Sequence, residues 1–230
     1  MSEPSQSVPP HDPVIQYYDT HPINFDQIMH ALAARNVDLT HLTEDILQEH
    51  DQDHFGAIGA NDILAAKAGI ARHHHLLDVC SGMGGPARYY AHHFGCKVTG
   101  LDFTESRYRG AIELTRLTRL DHLVDYRLGN ALDMPFADRS FDMVVGQEAW
   151  CHVPDKPRLV RECVRVLKPG GVIAFTDILR TDLLDEVEGA KVMQGMTFPS
   201  LESLAGYGEL LRGAGCELVS VDDLDRKSVV

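Results

Sequence analysis

LLDVCSGMGGPARYYA (residues 76–91) is an apolar run that ends in a turn of small residues and continues as a helix-like segment. Glycines in such a turn let the backbone come close to a ligand, and the start of the following helix offers unpaired N–H groups. A strand, turn and helix of this composition are therefore typical of a loop that holds a nucleotide. Cys80 stands in the turn where a third glycine would be expected.

Segments typical of strands and helices alternate from about residue 71 onward. The predicted strands cover 75–80, 96–102, 123–129, 141–147, 171–177 and 216–224, and the predicted helices cover 86–94, 104–120, 155–167 and 200–213. This alternation predicts an α/β fold, a doubly wound, Rossmann-like parallel sheet with helices on both faces. Such sheets bind ligands at the carboxyl ends of their strands, so the residues that follow each strand are candidates for function.

Helical patterns also precede the first predicted strand. Four short helices are predicted at 13–20, 24–35, 43–51 and 61–70. We therefore divide the chain into three parts: a disordered lead-in (1–12), an N-terminal helical region (13–70) and a core (71–230).

Composition and charge narrow the class of protein. Apolar residues make up 44% of the 230 residues, and no window of about 18 apolar residues occurs, which indicates a globular chain without a membrane span. The net charge of -13 disfavours nucleic acid as a partner, because an acidic chain repels the phosphate backbone. The five cysteines form no C-x-x-C pair, which favours reduced thiols and a cytoplasmic location.

Two interpretations of the turn compete. Gly82-x-Gly84-x-x-Ala87 fits the dinucleotide fingerprint, and Asp102 follows at the distance of a ribose-binding acid, which would make the protein a nicotinamide-dependent oxidoreductase. Asp78-x-x-x-Gly82-x-Gly84 places a carboxylate beside the turn instead, where it would repel a pyrophosphate and attract an ammonium group. S-adenosylmethionine combines an amino acid, a ribose and an adenine without any phosphate.

Further segments match the second interpretation. Asp102 ends the second predicted strand, and Gly129-Asn130-Ala131-Leu132 follows the third. In this order and spacing the segments resemble the class I S-adenosylmethionine-dependent methyltransferases over about residues 70–222. The resemblance implies S-adenosyl-L-methionine as cofactor, bound by Asp78, Ser81, Gly82, Gly84, Asp102, Phe103, Arg107, Asn130, Ala131, Leu132 and Gln147. Cys80 replaces the first glycine of the usual family pattern, so we expect it either to point away from the cofactor or to leave the backbone of the loop undisturbed.

Two stretches carry a closer resemblance. VIQYYDTHP (14–22) is similar to the opening of sarcosine/dimethylglycine N-methyltransferases, and GQEAWCHVPDK (146–156) is similar to a stretch of those enzymes and of phosphoethanolamine methyltransferases. In these families the N-terminal helices form a lid, which here implies residues 12–58. In the phosphoethanolamine family a histidine at the place of His152 works with an N-terminal tyrosine, whereas His41 or Leu42 falls near the place of that tyrosine in this chain.

These resemblances point to four candidate catalytic residues, His152, Glu148, Tyr18 and Tyr17. A histidine near its ordinary pKa can take a proton from an ammonium substrate, although His152 can equally anchor its loop. Glu148 either binds a substrate amine or holds the same loop. Tyr17 and Tyr18 either cover the sulfonium or a cationic amine, or pack as one face of a helix. His50 and His54, like the run 73–75, lack a recognisable third ligand, so no metal is expected.

The sequence thus predicts an enzyme that transfers a methyl group from S-adenosylmethionine to a small-molecule acceptor, most simply an amine. Transfer to oxygen, sulfur or carbon, and a non-catalytic cofactor-binding protein of the same fold, stay open as alternatives. After the strand predicted at 216–224, too few residues follow for the final antiparallel strand of the family. An exposed sheet edge would then favour a homo-oligomer.

Overall fold

The computed structural model describes residues 12–180 and 185–222. Its strands are β1 (His75–Val79), β2 (Lys97–Asp102), β3 (Val124–Leu128), β4 (Phe141–Gln147) and β5 (Leu167–Thr176). They lie parallel in one sheet in the order β3-β2-β1-β4-β5. The strand order reverses between β1 and β4, and the carboxyl ends leave a crevice at such a reversal. The predicted doubly wound α/β fold is confirmed.

Helices precede the sheet and connect its strands. The N-terminal helices are α1 (Pro13–Asp19), α2 (Phe25–Ala34), α3 (Glu44–Leu47) and α4 (Ala57–Ala68). Those that follow β1 are α5 (Gly85–Phe94), α6 (Glu105–Leu117), α7 (Lys156–Val166), α8 (Glu186–Gly195) and α9 (Leu204–Gly213). α7 begins as the sequence predicts, because the Asp155 carboxylate accepts a hydrogen bond from the backbone N–H of Arg158.

The core has a layer on each face of the sheet, because successive strand residues point to opposite sides. Leu76 of β1 packs in the layer that contains α4 and α5, whereas Leu77 packs in the layer that contains α7 and α9. A third apolar cluster joins α2 to α6 around Met83. Met83 belongs to the turn at 80–85, here called the glycine loop. The N-terminal helices therefore rest directly on the loop that follows β1.

A buried ion cluster also joins the N-terminal region to α5. The guanidinium of Arg88 has no exposed surface and pairs with Asp51 and with Glu44, the latter at 3.2 Å between Nε and Oε2. Tyr126 and Thr115 lie within hydrogen-bond distance of the same guanidinium. Removing one partner of a buried ion pair costs about 3–5 kcal/mol, so this cluster fixes residues 44–51 against α5.

Three elements differ from the sequence-based prediction. β5 begins at Leu167, which pairs with Phe141 before a bulge shifts the register to Met143 and Val172. α8 was not predicted, because its sequence has little apolar periodicity. Residues 216–222 are not a strand, and 223–224 lie outside the described residues. Val219 is 91% exposed, so the apolar alternation of this segment does not produce a buried face.

The outer edge of β5 is one of the two edges of the sheet, the other being that of β3. Within residues 12–180 and 185–222, no strand pairs with that edge. The expectation about a final antiparallel strand concerns residues beyond 224, which lie outside the described part of the chain. Among the residues described, no helix has the length and apolar character needed to cross a membrane.

Candidate active site

A cavity of about 310 Å³ opens at the carboxyl ends of β1, β2 and β4. Its wall contains nearly all of the predicted cofactor residues, namely Asp78, Ser81, Gly82, Asp102, Phe103, Arg107, Asn130, Ala131, Leu132 and Gln147. Three of the predicted catalytic residues, Tyr18, Glu148 and His152, also line it. Gly84 and Tyr17 are not part of the wall. The topology therefore brings distant segments of the sequence to one place.

The glycine loop has an unusual backbone. Cys80, Gly82 and Gly84 have φ angles of 65°, 53° and 78°, in the left-handed region that favours glycine. This conformation explains why a glycine is expected at position 80. Cys80 belongs to the cavity wall and also packs against the apolar layer that contains α7 and α9, so its orientation relative to a bound cofactor stays a prediction. Burial raises the pKa of its thiol, which therefore stays neutral and is not a nucleophile.

Gly84 serves packing rather than the cavity. It precedes α5, and a Cβ added there would overlap the hydroxyl group of Tyr126. A Cβ added at Gly82 would meet no atom within 4 Å. The two glycines share a left-handed backbone but differ in the space around them.

We expect Gly84→Ala to lower the free energy of unfolding by about 2–4 kcal/mol, from backbone strain together with overpacking. Gly82→Ala is the matched control and should lose only about 1–2 kcal/mol, from backbone strain alone. Urea unfolding followed by circular dichroism measures both losses. Equal losses in the two variants would contradict the packing role of Gly84.

Two buried carboxylates meet beside the glycine loop. Asp102 ends β2, and its two oxygens accept hydrogen bonds from the N–H groups of Gly82 (2.8 Å) and Thr104 (2.9 Å). Asp78 of β1 is 1% exposed, and its Oδ2 atom has no hydrogen-bond partner among the described residues. Burial and the neighbouring Asp102 raise the pKa of Asp78 to about 7. A buried carboxylate in this position fits a ligand that brings a positive charge.

Two other cofactor candidates have their polar groups engaged within the protein. The side-chain oxygen Oδ1 of Asn130 accepts a hydrogen bond from the N–H of Leu132 (2.8 Å), which shapes the turn after β3. The Gln147 amide donates to Asn61 (2.6 Å) and accepts from the hydroxyl of Thr176 (2.7 Å). Asn130 therefore shapes its turn, and Gln147 ties β4 to α4 and β5.

Arg107 of α6 carries a buried positive charge into the cavity. Its Nη1 donates to the carbonyl of Ile23 (2.6 Å) and lies 3.3 Å from the carboxylate of Asp53. The guanidinium also lies 4.6 Å from the ring centre of Tyr18, a cation–π distance. Its Nε and Nη2 atoms are buried without a hydrogen-bond partner in the described part of the chain. Donors in this state fit an anionic or carbonyl group of a ligand.

His152 lies among aromatic rings. Its ring centre is 5.2 Å from that of Tyr18 and 6.1 Å from that of Tyr17. Tyr18 lines the cavity, whereas Tyr17 lies beyond the wall with its hydroxyl near the sulfur of Met196. The N-terminal tyrosines therefore reach His152 although no tyrosine aligns at His41 or Leu42.

The protonation state of His152 differs from the expectation. Burial lowers the pKa of the imidazole to about 4, so the ring is neutral at pH 7 rather than poised near its ordinary value. A hydrogen bond with the backbone of Thr197 holds the ring, and Nδ1 is buried without a partner within the described residues. His152 is thus both anchored and able to accept a hydrogen bond. Burial also raises the pKa of Tyr18, so its hydroxyl stays protonated.

Glu148 holds two segments together at the cavity edge. Its Oε2 accepts a hydrogen bond from the N–H of Phe55 (2.7 Å), and its own N–H donates to the carbonyl of Thr176 (2.9 Å). A φ of 48° at Glu148 turns the chain sharply after β4. These contacts favour the interpretation in which Glu148 fixes the loop.

Sequence analysis missed several wall residues. Asp51, Asp53 and His54 line the cavity, and His21 lies 3.4 Å from Asp53. The cluster at 50–54 attracted attention only for its metal-like spacing and as part of a lid. The lid implied for residues 12–58 places them near the cofactor, but none was named as a site residue, because they lie far from the core motifs in sequence.

Residues 77–175 match the family described as "Methyltransferase domain". The chain contains a methyltransferase domain. The match runs from β1 to β5, so the glycine loop, Asp102, Asn130 and His152 all lie inside it. The family resemblance inferred from residues 76–91 and the segments that follow them is confirmed.

Two curated relatives indicate the range of similar proteins. The chain is 34% identical over 161 residues to the glycine/sarcosine/dimethylglycine N-methyltransferase of Actinopolyspora halophila. The aligned residues make up 70% of this chain and 28% of that protein. The chain is also 36% identical over 169 residues to the 24-methylenesterol C-methyltransferase 2 of Oryza sativa subsp. japonica. Here the aligned residues make up 71% of this chain and 46% of that protein. The chain therefore spans less than half the length of either relative.

A solved structure extends the likeness beyond the methyltransferase domain. Phosphoethanolamine N-methyltransferase 2 of Haemonchus contortus, in complex with S-adenosyl-L-methionine, matches 95% of this chain and 48% of its own with a TM-score of 0.74. The sequence identity is 21%, so the likeness concerns the fold. Coverage of 95% means that the N-terminal helices share in it.

Proposed function

We propose that this methyltransferase domain binds S-adenosyl-L-methionine in the cavity and transfers its methyl group to a small-molecule acceptor, an amine. The observation that carries the proposal is Asp78, a buried carboxylate at the end of β1 beside the glycine loop, with one oxygen that no described residue hydrogen-bonds. An ammonium group would satisfy that oxygen, whereas a pyrophosphate would be repelled. This contrast disfavours a nicotinamide dinucleotide as the ligand.

The remaining wall residues fit the other parts of the cofactor. Each carboxylate oxygen of Asp102 accepts one backbone hydrogen bond and keeps a second lone pair, which suits a ribose hydroxyl group. Phe103 and the segment 129–132 provide apolar surface and backbone groups for an adenine. The unpaired N–H groups of Arg107 suit the carboxylate of the cofactor or of the acceptor. When bound, the cofactor supplies a methyl group that a sulfonium already activates.

The protein's own contribution is to hold the acceptor and exclude water. Nδ1 of neutral His152 can accept a hydrogen bond from the N–H of an amine and so orient the amine's lone pair. The ring of Tyr18 covers the same side and offers a π face to a positive charge. Asp53 adds a negative charge nearby, which stabilises the ammonium that a neutral amine becomes when it receives the methyl group.

Two measurements test this function. Calorimetric titration should detect binding of S-adenosylmethionine and none of NAD. A mass-spectrometric screen of small amines should then find a product heavier by one methylene. Binding of NAD alone would overturn the proposal, and cofactor binding without turnover on any amine, hydroxyl, thiol or alkene would favour a non-catalytic cofactor-binding protein.

Carbon is the second candidate acceptor atom. The relative from Oryza sativa subsp. japonica is named a C-methyltransferase, and its identity to this chain is as high as that of the N-methyltransferase. A carbon acceptor would need stabilisation of a developing cation, which the ring of Tyr18 also offers. Alkenes therefore belong in the same screen, and methylation of an alkene with no methylation of amines would select this candidate.

The neighbouring tyrosines provide a matched pair of variants. We expect Tyr18→Leu to lower kcat/KM about tenfold, because it removes the ring that faces Arg107 and the cavity. Tyr17→Leu makes the same change outside the cavity wall and should alter kcat/KM less than threefold. Steady-state kinetics with the acceptor found in the screen measures both. A larger loss in Tyr17→Leu would contradict the assignment of Tyr18.

The open edge of β5 makes self-association the expected mode of assembly. Within the described residues this edge has unpaired backbone groups, which a strand of a second copy can pair with. Light scattering coupled to size exclusion measures the mass. A strictly monomeric mass over a range of concentrations would contradict this expectation.

A further inference from the structure

Three side chains with metal-binding atoms meet on the surface, away from the cavity. Asp45 of α3 lies beside His92 and His93 of α5, and one ligand atom from each lies within 4.8 Å of the other two. Within the described parts of the chain, no other group of three or more histidine, cysteine or acidic side chains meets this distance. None of the three residues lines the cavity wall.

The distances already approach those of a coordination shell. Tetrahedral zinc with bonds of about 2.0–2.2 Å places neighbouring ligand atoms roughly 3.4 Å apart. His92 Nε2 is 3.1 Å from Asp45 Oδ1, and His93 Nε2 is 3.3 Å from the side-chain oxygen Oε1 of Gln48. The three ligand residues are exposed, so small side-chain rotations can bring their atoms to one centre.

The charge around these residues also favours a cation. His92 and His93 lie in the last turn of α5, where the helix dipole places partial negative charge. A neutral imidazole offers the lone pair that a metal needs. The chain as a whole is acidic, with a net charge of -13.

We propose that Asp45, His92 and His93 form a site for a divalent transition-metal ion such as Zn²⁺, which joins α3 to α5. Two imidazoles and one carboxylate are a ligand set that suits zinc better than calcium or magnesium, and Gln48 or water completes the coordination. The ion would lie on the outer side of the contact that buried Arg88 makes with Glu44 on the inner side. Its role would be to fasten the N-terminal region, independently of the proposed methyl transfer.

The test uses untagged, full-length protein that has been stripped with a chelator. Calorimetric titration with ZnCl₂ should show one saturable site per chain. The double variant His92→Ala/His93→Ala, and Asp45→Ala separately, should weaken zinc binding at least tenfold. His73→Ala/His74→Ala is the matched control, because it removes another adjacent pair whose rings lie 4.0 Å apart but which lies in no such ligand group among the described residues.

Two further readouts separate ligation from weak surface binding. Zn²⁺ should raise the thermal midpoint of the wild-type chain and of His73→Ala/His74→Ala, and should not raise that of His92→Ala/His93→Ala. Co²⁺ bound to the wild-type chain should give a visible absorption band, and this band should be absent from His92→Ala/His93→Ala. An absence of saturable binding, or equal loss of binding in the two double variants, would overturn the proposal.

Discussion

Asp78→Asn is expected to weaken binding of S-adenosylmethionine about 100-fold or more. The substitution keeps the shape of the side chain but removes its negative charge from a buried site that is 1% exposed. Leaving a buried ammonium without its counter-charge costs about 3–5 kcal/mol, which corresponds to a loss of this size. Calorimetric titration of the variant at pH 8 measures the loss.

The matched control is Asp142→Asn, which makes the same change near the amino end of β4, outside the cavity wall. Its affinity for the cofactor should stay within twofold of the wild type, although its ion pair with Lys168 is lost. If both variants bind the cofactor as the wild type does, Asp78 does not hold the ammonium group.

The pH dependence of binding follows from the same carboxylate. Burial and Asp102 raise the pKa of Asp78 to about 7, and only the ionised form pairs with an ammonium. Below pH 7 the carboxylate must first lose a proton, so affinity falls as the pH falls. Between pH 8 and pH 6 we expect a loss of about tenfold in the wild type. Asp78→Asn should not show this dependence.

His152→Ala is expected to lower kcat about 100-fold at saturating cofactor, within the range measured for a positioned proton-transfer or hydrogen-bonding group. The cofactor affinity should change less than threefold, because the imidazole faces the acceptor side with Tyr18. Steady-state assays of methyl transfer to the acceptor found in the screen give kcat. Calorimetric titration gives the affinity for S-adenosylmethionine.

A second substitution distinguishes the two roles of His152. His152→Gln keeps an atom that accepts a hydrogen bond but cannot take up a proton, so it should recover at least tenfold of the activity lost in His152→Ala. Equal loss in both variants would instead assign His152 as a general base. If turnover is unchanged in His152→Ala, then His152 has no role in catalysis. Its role would be structural, through the hydrogen bond of its ring with the backbone of Thr197.

Most of the sheet was predictable because its strands are short apolar runs bounded by turn residues. β1 to β4 begin and end within a residue or two of the predicted positions. The prediction began β5 at residue 171 rather than 167, because Lys168, Pro169 and two glycines are typical of a turn, whereas in the structure they form a bulge within the strand. The predicted strand at 216–224 failed because strand formation depends on a partner, and residues 216–222 pair with none.

The part of the site that lies at the carboxyl ends of the strands was predictable, because the order of strands and helices along the chain determines it. Asp78, Asp102 and Asn130 follow or end neighbouring strands, so a parallel sheet must bring them to one edge. The contribution of the N-terminal region was harder to predict, because Tyr18 and Asp53 reach the cavity through packing between distant segments. Protonation was the least predictable feature: the lowered pKa of His152 follows from burial, which no local motif reveals.

The buried contact of Arg88 with Glu44 and Asp51 has a consequence for how a ligand enters. Residues 44–51 cannot swing away from α5 without exposing an unpaired charge, and α2 is held by the apolar cluster around Met83. α1, by contrast, buries only Val14 among its residues. We therefore expect α1 alone to move aside when cofactor and acceptor enter the cavity. The rest of the N-terminal region would stay in place, so the entrance would be narrow.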